Sequence, residues 1–370
     1  MTSTPKRRRH GTGRRRTRKA SSTLTCGLKL AMRLASMAST ALSAMTPKVA
    51  KPSRTPTKPA KRSGRVQGKA RQGSSFRSGT HDCDHGSRRY KLFTPGLAAD
   101  AEPPPLLVML HGCGQTPDDF AKGTRMNALA GEFGFIVVYP AQPRDAHPNR
   151  CWNWFSRDDQ ARGSGEPALL ASLTRHIVDR HGADPGRVYV AGLSAGASAA
   201  LILAGAYPEI FAAVGAHSGL PAGAAQDQAS ALLAMQRGNP GRRLEHPMPT
   251  IIFHGSRDHV VHPRNGRLAA IRAREPYASL RATEAAGQIP NGHRYVRTVH
   301  RIGSGRPLVE HWSVAGSGHA WSGGSSAGRF TDPKGPDASR EMVRFFLRHS
   351  LSARQRAALA ARLVTAQDEH

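Results

Sequence analysis

A serine between two glycines is the strongest chemical signal in the sequence. Residues 192–196 read Gly-Leu-Ser-Ala-Gly and match the pattern G-x-S-x-G. The apolar run RVYVAGL precedes Ser194 and the small-residue run SAGASAALILAGAYP begins with it, which predicts a strand followed by a helix. A sharp turn between the two strains the serine backbone and lifts the hydroxyl above the sheet edge. Because a serine hydroxyl needs a general base to become a good nucleophile, this motif predicts a basic partner for Ser194.

Two later loops offer the acid and the base that such a serine requires. In folds with this turn, the acid follows a later strand and the histidine follows the last one. Asp258 comes after the apolar run PTIIFHG, and His319 comes after VEHWSVAG. We expect His319 to take the proton of Ser194, and Asp258 to orient the imidazole and stabilise its charged form. Rival candidates for these two roles are Asp227, Asp332, His262 and His311.

A glycine-rich loop, His111-Gly112-Cys113-Gly114, follows an early predicted strand. Acyl transfer needs N–H donors aimed at the oxygen that becomes negative in the transition state. We expect these donors to be the backbone N–H groups of Cys113 and of Ala195, the residue after the serine. Two alternatives remain open for the thiol of Cys113: a disulfide with Cys151 that pins the loop, or two free buried thiols.

The arrangement that can position these loops is a mostly parallel sheet covered by helices. From Arg88 onward, apolar runs alternate with segments of helical spacing, which is typical of such a sheet. RRYKLFTPG predicts an edge strand, and buried strands are predicted over 106–112, 135–140 and the runs RVYVAGL, AAVGAHSG, PTIIFHG and VEHWSVAG. Predicted helices cover DDFAKGTRMNALAGEFG, GEPALLASLTRHIVDRHG, SAGASAALILAGAYP, ASREMVRFFLRHS and residues 352–365. The sequence therefore predicts the α/β-hydrolase fold, with helices on both faces of the sheet.

Charge divides the chain unevenly. The 54 Lys and Arg residues exceed the 25 Asp and Glu residues and give a formal net charge of +29, yet no acidic residue precedes Asp82. Residues 1–75 are rich in Arg, Lys, Ser, Thr and Pro, and we predict a disordered basic extension because they cannot bury enough apolar surface. We expect the α/β-hydrolase domain over residues 76–350 and a helical extension over residues 351–370.

The basic extension raises the alternative of a polyanion-binding protein. No aromatic residue on which bases could stack precedes Phe76, so we expect no specific nucleic-acid binding. The segment TLTCGLKLAMRLASMASTALSAM is either an amphipathic helix or a weak signal-peptide core with a cleavage-like site at residues 41–43. Lys29 and Arg33 interrupt its apolar run, and a transmembrane helix is not expected without a run of about 18 apolar residues.

The four cysteines show no spacing typical of a zinc site; they are Cys26, Cys83, Cys113 and Cys151. We therefore expect no bound metal. Cys113 and Cys151 lie beside segments that carry other candidate functional residues.

Several blocks of sequence together resemble esterases related to poly(3-hydroxybutyrate) depolymerase: HGCGQTPDDF, NRCWNWF, RGSGEP, DPGRVYVAGLSAGASAALILAGAYPEIFAAVGAHSGLP, HGSRDHVVHPRNG and GHAWSGG. The blocks extend over about residues 88–350. The resemblance implies a carboxylic-ester hydrolase with one α/β-hydrolase domain and neither a metal nor an organic cofactor. It assigns Ser194, Asp258 and His319 as a catalytic triad, Cys113 as an oxyanion donor and Trp321 as a substrate contact.

The same resemblance implies an ester substrate and leaves its class open. The first alternative is a short hydroxyalkanoate-type ester or oligomer. The second is a feruloyl or acetyl-xylan ester, on which Trp152, Trp154 and Trp321 could stack, although Trp152 and Trp154 are equally candidates for the core. These 370 residues show no Thr-rich linker or separate substrate-binding domain, so we expect soluble esters rather than solid polymer. The resemblance favours a secreted or periplasmic protein, while the weak signal-like segment leaves a cytoplasmic location open.

Overall fold

The computed structural model describes residue 1, residues 73–98 and residues 100–368. Most of the predicted basic extension, with Cys26 and the signal-like segment, lies outside the described residues. The chain divides into two units, Met1–Pro56 and Thr57–His370, and the architecture given below belongs to the second. The domain boundaries at residues 75 and 350 remain predictions.

The central feature of the described residues is a mixed sheet of ten strands. In chain order they are β1 (Ser75–Cys83), β2 (Gly86–Thr94), β3 (Leu106–Leu110), β4 (Ile136–Pro140), β5 (Val188–Leu193), β6 (Ala213–His217), β7 (Thr250–Gly255), β8 (Arg281–Gln288), β9 (Arg294–Arg301) and β10 (Val309–Val314). Their spatial order is β1-β2-β4-β3-β5-β6-β7-β10-β9-β8. A short parallel pair, β11 (Trp321–Ser322) with β12 (Thr331–Asp332), is separate from this sheet.

The six central strands of the sheet pair in parallel, from β4 across to β10. Every residue of β3, β4, β5, β6 and β7 is buried. Strands covered on both faces need apolar residues at nearly every position, and the continuous runs LLVML and VYVAGL meet that need. The central strands predicted from these runs are confirmed. Because parallel strands all end at one edge of a sheet, the loops after β3, β5, β6, β7 and β10 converge there.

The two flanks of the sheet are antiparallel. β2 pairs with β1 on one side and with β4 on the other, so the prediction that RRYKLFTPG forms an edge strand is wrong and β1 is the edge. On the other flank, β9 pairs with β10 and β8 pairs with β9. This second hairpin is not predicted from the sequence because β8 is exposed at almost every position and has no apolar alternation.

Eight helices lie within the described residues: α1 (Pro117–Thr124), α2 (Met126–Phe133), α3 (Gly165–His181), α4 (Ala195–Ala206), α5 (Gln228–Arg237), α6 (Arg264–Arg274), α7 (Ala338–Phe346) and α8 (Ala353–Asp368). The predictions of α3, α4, α7 and α8 are confirmed. The single helix predicted over DDFAKGTRMNALAGEFG is wrong, because Arg125 adopts a φ of 55° and ends α1 before α2 begins. No helix of the described residues is long and apolar enough to cross a membrane.

A column of stacked rings runs through the core beneath the converging loops. Trp321 stacks on His217 with ring centroids 5.1 Å apart, and His217 stacks on Phe253 at 5.8 Å. Phe253 in turn stacks on Trp312 at 5.0 Å, and Trp312 contacts Tyr295 at 5.1 Å. Because the rings come from β6, β7, β9, β10 and β11, their packing fixes neighbouring strand ends relative to one another.

Candidate active site

Ser194 lies in the turn between β5 and α4. Its backbone has φ 58° and ψ −121°, a conformation that is costly for a residue with a side chain. A Cβ atom on Gly192 would lie 2.3 Å from the carbonyl oxygen of Gly196, and one on Gly196 would lie 2.1 Å from that of Leu110. The backbone therefore approaches both glycines of the motif too closely for any residue with a side chain to replace them. The Ser194 side chain makes no capping hydrogen bond to α4, so its hydroxyl is not engaged by the helix terminus.

Asp258 and His319 meet in the loops after β7 and β10. Nδ1 of His319 lies 2.7 Å from Oδ2 of Asp258. The other carboxylate oxygen, Oδ1, accepts the N–H groups of Val260 and Val261, both at 2.9 Å. Burial alone would raise the pKa of Asp258, but the adjacent His319 and His254 hold it well below its ordinary range. Asp258 is therefore a fixed anion that can orient an imidazole and stabilise its charged form.

His254 is a contact of this carboxylate that the sequence analysis did not anticipate. Its Nε2 lies 2.8 Å from the carbonyl oxygen of Val261 and 3.3 Å from Oδ2 of Asp258. In the sequence, the segment HGSRD shows this histidine four residues before the acid. That short spacing is the only feature of the sequence that hints at a contact between the two side chains. The turn after β7 brings the two side chains together, so His254 helps to hold the acid in place.

His217 ties the serine turn to the segment that follows His319, and sequence reasoning also missed it. Its carbonyl oxygen accepts the N–H of Ser194 at 2.9 Å, and its Nε2 accepts the N–H of Ser322 at 3.0 Å. Nε2 therefore carries no proton, and Nδ1 is the donor toward Oγ of Ser218 at 3.1 Å. Burial lowers the pKa of His217 to about 3, which keeps the ring neutral in this role.

Within residues 112–115 of the loop after β3, one backbone N–H is free of an acceptor among the described residues. In this loop Gly112 N–H donates to Oε1 of Gln115 at 3.0 Å, Gly114 N–H donates to the Asn149 carbonyl at 2.7 Å, and Gln115 N–H donates to the Gly112 carbonyl at 3.2 Å. Within the described residues, the N–H groups of Cys113 and Ala195 have no acceptor. These are the two N–H groups that the sequence predicts as oxyanion donors, and unpaired donors of this kind are available to a developing negative charge.

A disulfide joins this loop to the segment that follows β4. Sγ of Cys113 and Sγ of Cys151 are 2.07 Å apart, and their Cα atoms are 4.2 Å apart. Of the two alternatives left open by the sequence, the disulfide is confirmed and the pair of free thiols is wrong. Of the cysteines that the structure describes, Cys83 is the free one.

The disulfide-bearing segment is itself anchored by a buried carboxylate. Glu166 at the start of α3 accepts the N–H of Asn153 at 2.8 Å, its side-chain Nδ2 at 3.1 Å, and Nε2 of Gln142. Burial raises the pKa of Glu166 to about 7. Trp152 Nε1 donates to the carbonyl oxygen of His111 at 3.0 Å. The segment is thereby held from α3 on one side and from the loop after β3 on the other.

The three tryptophans predicted as substrate contacts are buried. Trp152 is 0% exposed, Trp154 is 6% exposed and Trp321 is 1% exposed. Trp321 packs edge-on against Phe120 and donates from Nε1 to Oγ of Ser339 at 3.0 Å. The core alternative for Trp152 and Trp154 agrees with this burial. An indole with almost no exposed surface presents no face to a ligand, so the packing gives no support to the substrate contact predicted for Trp321.

The four rival residues make other contacts. Asp227 caps α5, and Asp332 lies 2.8 Å from Nε2 of His293. Nδ1 of His262 accepts a backbone N–H at the start of α6 at 3.1 Å. His311 lies within β10, where burial lowers its pKa to about 4. Asp227, Asp332 and His262 therefore each have a side-chain contact of their own, and His311 is buried within the sheet. The described residues contain no cluster of His, Cys, Asp or Glu with the grouping that a metal ion needs.

The mixed sheet, the serine turn after a central strand, and the acid and histidine in two later loops define an α/β-hydrolase. The chain belongs to the family described as Esterase PHB depolymerase, whose profile matches residues 88–274. The matched range includes Ser194 and Asp258 and ends before His319.

Two curated proteins illustrate the similarity. Poly(3-hydroxyalkanoate) depolymerase C of Paucimonas lemoignei is 33% identical over 244 residues, an alignment that covers 62% of this chain and 57% of that protein. Feruloyl esterase B of Neurospora crassa is 28% identical over 239 residues, covering 59% of this chain and 79% of that protein. The chain thus spans little more than half the length of the depolymerase.

A solved structure supports the fold. The acetyl xylan esterase from Aspergillus awamori superposes with a TM-score of 0.55 at 22% sequence identity, covering 66% of this chain and 94% of that chain. At this identity the likeness concerns the fold alone.

Proposed function

We propose that the protein is a serine carboxylic-ester hydrolase that acts through an acyl-enzyme on short hydroxyalkanoate-type esters or oligomers. The observation that carries this proposal is the 2.7 Å contact between His319 Nδ1 and Asp258 Oδ2, in loops that converge with the strained turn of Ser194. A nucleophile on a strained turn and an oriented imidazole are the components that acyl transfer from an ester requires. Membership of the Esterase PHB depolymerase family supports the same reaction.

In the proposed acylation, Oγ of Ser194 attacks the ester carbonyl carbon while Nε2 of His319 takes the hydroxyl proton. Asp258 stabilises the imidazolium that forms, without accepting its proton. The carbonyl oxygen becomes negative in the tetrahedral intermediate and accepts hydrogen bonds from the backbone N–H groups of Cys113 and Ala195. The intermediate collapses when the bond to the alcohol oxygen breaks, and His319 gives its proton to the departing alcohol.

Deacylation repeats these steps with water as the nucleophile. Nε2 of His319 takes one proton from water, and the resulting hydroxide attacks the acyl carbon. The second tetrahedral intermediate uses the same two N–H groups and expels Oγ of Ser194, which recovers its proton from His319. The products are a carboxylic acid and an alcohol, and the protein returns to its starting state.

The choice of a hydroxyalkanoate acyl group rests on similarity. The depolymerase named for poly(3-hydroxyalkanoate) is 33% identical to the chain over the aligned residues. A feruloyl ester is the second candidate, and the 28% identity to feruloyl esterase B favours it. The burial of the three tryptophans removes the aromatic stacking argument that would otherwise support the second candidate.

A substrate series separates the two candidates. We would measure kcat/KM for soluble 3-hydroxybutyrate oligomers, p-nitrophenyl esters of increasing acyl length and methyl ferulate, with Ser194→Ala as the background. We expect the oligomers to exceed methyl ferulate by about tenfold or more, since one pocket contact changes discrimination by that order. A preference for methyl ferulate would replace the first candidate with the second. Failure of every ester to turn over above the background would contradict the proposed activity itself.

We further propose that the protein works in an oxidising compartment. The Cys113–Cys151 disulfide supports this, because such bonds persist mainly outside the reducing cytoplasm. Alkylation of free thiols under acid quench in the native host, followed by peptide mass spectrometry, tests it. We expect the two cysteines as a linked peptide pair; finding both alkylated would contradict the proposed compartment.

A further inference from the structure

A buried glutamine holds the loop that presents the proposed oxyanion donor. We propose that Gln115 is a positioning residue for the reaction: its side-chain amide fixes residues 112–115 so that the N–H of Cys113 faces the reacting carbonyl oxygen. This inference rests on the proposed function and assigns a role to a side chain outside the serine, acid and base.

All polar groups of the Gln115 side chain are engaged. The side chain is 1% exposed. Its Oε1 accepts the N–H of Gly112 at 3.0 Å, and its Nε2 donates to Oδ2 of Asp119 at 2.8 Å and to the carbonyl oxygen of Arg329 at 3.0 Å. A buried amide with every group paired is held in one orientation, because each alternative leaves a polar group without a partner.

These contacts select which donor of the loop stays free. Gly112 N–H is taken by the Gln115 side chain, Gly114 N–H by Asn149, and Gln115 N–H by the Gly112 carbonyl. Among residues 112–115, Cys113 carries the backbone N–H that has no acceptor in the described part of the chain. Loss of the Gln115 amide would leave Gly112 N–H buried and unpaired, and the peptide groups of the loop would then rotate to find acceptors.

Gln115 also joins the loop to the chain that follows His319. Arg329 donates from its backbone N–H to Oδ1 of Asp119 at 3.0 Å and from Nη2 to the Gly114 carbonyl at 2.5 Å. Farther along α1, the Ser325 N–H donates to the Gly123 carbonyl at 2.8 Å. The segment that leaves the base loop is therefore fixed to α1 and to the oxyanion loop. Gln115 lies where these two parts of the site meet.

A positioning role predicts a loss specific to the transition state. An oxyanion donor acts on charge that develops during reaction, whereas substrate binding involves a carbonyl that is still neutral. Misplacement of Cys113 N–H should therefore lower kcat and leave KM nearly unchanged. A trifluoromethyl ketone, which adds to the serine as a tetrahedral oxyanion, should lose affinity in parallel with kcat.

The first test compares Gln115→Met with the matched variant Gln160→Met. Gln160 is also buried and donates from Nε2 to the Ala225 carbonyl at 2.6 Å, away from the oxyanion loop. With p-nitrophenyl butyrate, we expect Gln115→Met to lower kcat by about 10- to 100-fold. This decrease does not exceed the one that removal of a whole oxyanion donor causes. We expect KM to change little and the trifluoromethyl ketone to bind correspondingly more weakly. Gln160→Met should retain wild-type kcat and inhibitor affinity.

The second test exchanges donor and acceptor in the hydrogen bond between the side chains of residues 115 and 119. Gln115→Glu keeps an acceptor for Gly112 but places a carboxylate against Asp119, and Asp119→Asn then supplies an N–H toward the new carboxylate. We expect the double variant to recover part of the kcat that Gln115→Glu loses, since residues 115 and 119 share one interaction while the Arg329 carbonyl still lacks its donor. This pair also carries the test if Gln115→Met does not fold.

Three results would overturn the inference: wild-type kcat and inhibitor affinity in Gln115→Met, an equal kcat loss in Gln160→Met, or no recovery in the double variant. A different result would overturn the proposed function instead. If Ser194→Ala retained turnover, the reaction would not use this site and the Gln115 effect would have no oxyanion to act on.

Discussion

At the scale of single residues, the proposed acid is held by three hydrogen-bond donors and by a fourth, longer contact from His254. His319 and His254 approach one carboxylate oxygen of Asp258, and the N–H groups of Val260 and Val261 bind the other. A carboxylate with this many donors stays ionised and does not rotate. Because Nδ1 of His319 is engaged by Asp258, Nε2 is the ring nitrogen left to act as the proposed general base.

Replacing the base tests this orientation. We expect His319→Ala to lower kcat/KM by a factor on the order of 10⁴, because serine and base act as a unit. His262→Ala is the matched control, since His262 lies in the loop after the acid and its Nδ1 accepts the N–H of Arg264 at the start of α6. Steady-state assays with one p-nitrophenyl ester measure both variants. The opposite pattern, with activity lost in His262→Ala and kept in His319→Ala, would show that the base is misassigned.

Glu166 gives the stability of the protein a specific pH dependence. Burial is the largest cause that raises the pKa of Glu166 from 4.5 to about 7. Between these values the folded protein holds a proton that the unfolded chain has lost, so this group costs stability as the pH rises through the window. Glu166→Gln cannot ionise, and relative to wild type it should gain up to about 3 kcal/mol of unfolding free energy from pH 4.5 to pH 8.

Urea denaturation of both proteins at the two pH values measures this gain. The comparison between the two proteins cancels the titration of all other groups. A difference in unfolding free energy that stays constant with pH would show that Glu166 ionises as freely in the folded chain as in the unfolded one.

The sequence predicts some residues of the site and not others, for a physical reason. Ser194, Asp258 and His319 are marked because each follows an apolar strand in a fixed order and has a residue type that acyl transfer needs. His217, His254 and Gln115 act through contacts that only the folded chain creates. His217 reaches Ser322, which lies 105 residues away, and Gln115 reaches Arg329, which lies 214 residues away. No local pattern reports an approach of that kind.

At the scale of elements, the loop after β3 is fixed from two sides. The disulfide to Cys151 holds it toward the segment after β4, and Gln115 holds it toward α1 and the chain after β11. The proposed oxyanion donor at Cys113 is a backbone group, so we expect the sulfur to act by restraining the loop and not by taking part in the reaction. Loss of the disulfide can therefore lower the stability of the fold while the backbone N–H remains present for the reaction.

Removing the disulfide should therefore weaken the fold more than it weakens the reaction. We expect Cys113→Ala and Cys151→Ala each to lower the unfolding free energy by roughly 2 to 4 kcal/mol and to reduce turnover without abolishing it. The double variant should be no worse than either single variant, because one shared bond is lost. Cys83→Ala, at the free cysteine, is the matched control. Additive losses in unfolding free energy in the double variant would contradict a shared bond.

The elements that the sequence predicts are those buried on both faces. A central parallel strand must be apolar throughout, so LLVML and VYVAGL are visible without any tertiary information. The β8–β9 hairpin is held by backbone pairing, and its exposed residues carry no apolar pattern. The break at Arg125 is equally hidden, because arginine rarely adopts a positive φ and gives no local signal for a helix end.

At the scale of the whole molecule, charge and catalysis occupy different parts of the chain. The residues proposed to act in the reaction lie between Gly112 and His319, whereas no acidic residue precedes Asp82. The sheet begins with β1 at Ser75. A basic segment ahead of that point attracts polyanions nonspecifically, with a strong dependence on salt.

Deleting residues 1–72 should leave the reaction intact. We expect kcat/KM to stay within about twofold of the full chain, since the deletion ends before the first described strand. Salt-sensitive retention on a heparin column should fall in the same variant. Loss of ester hydrolysis on truncation would show that the N-terminal residues contribute to the site.

The central claim is that Ser194 is the nucleophile. The most direct measurement is kcat/KM of Ser194→Ala with the best ester of the substrate series, on protein whose folding is verified by circular dichroism. The account predicts a loss of about 10⁴-fold or more, with residual catalysis from binding and the backbone donors alone. A folded Ser194→Ala protein with near-wild-type kcat/KM would contradict it.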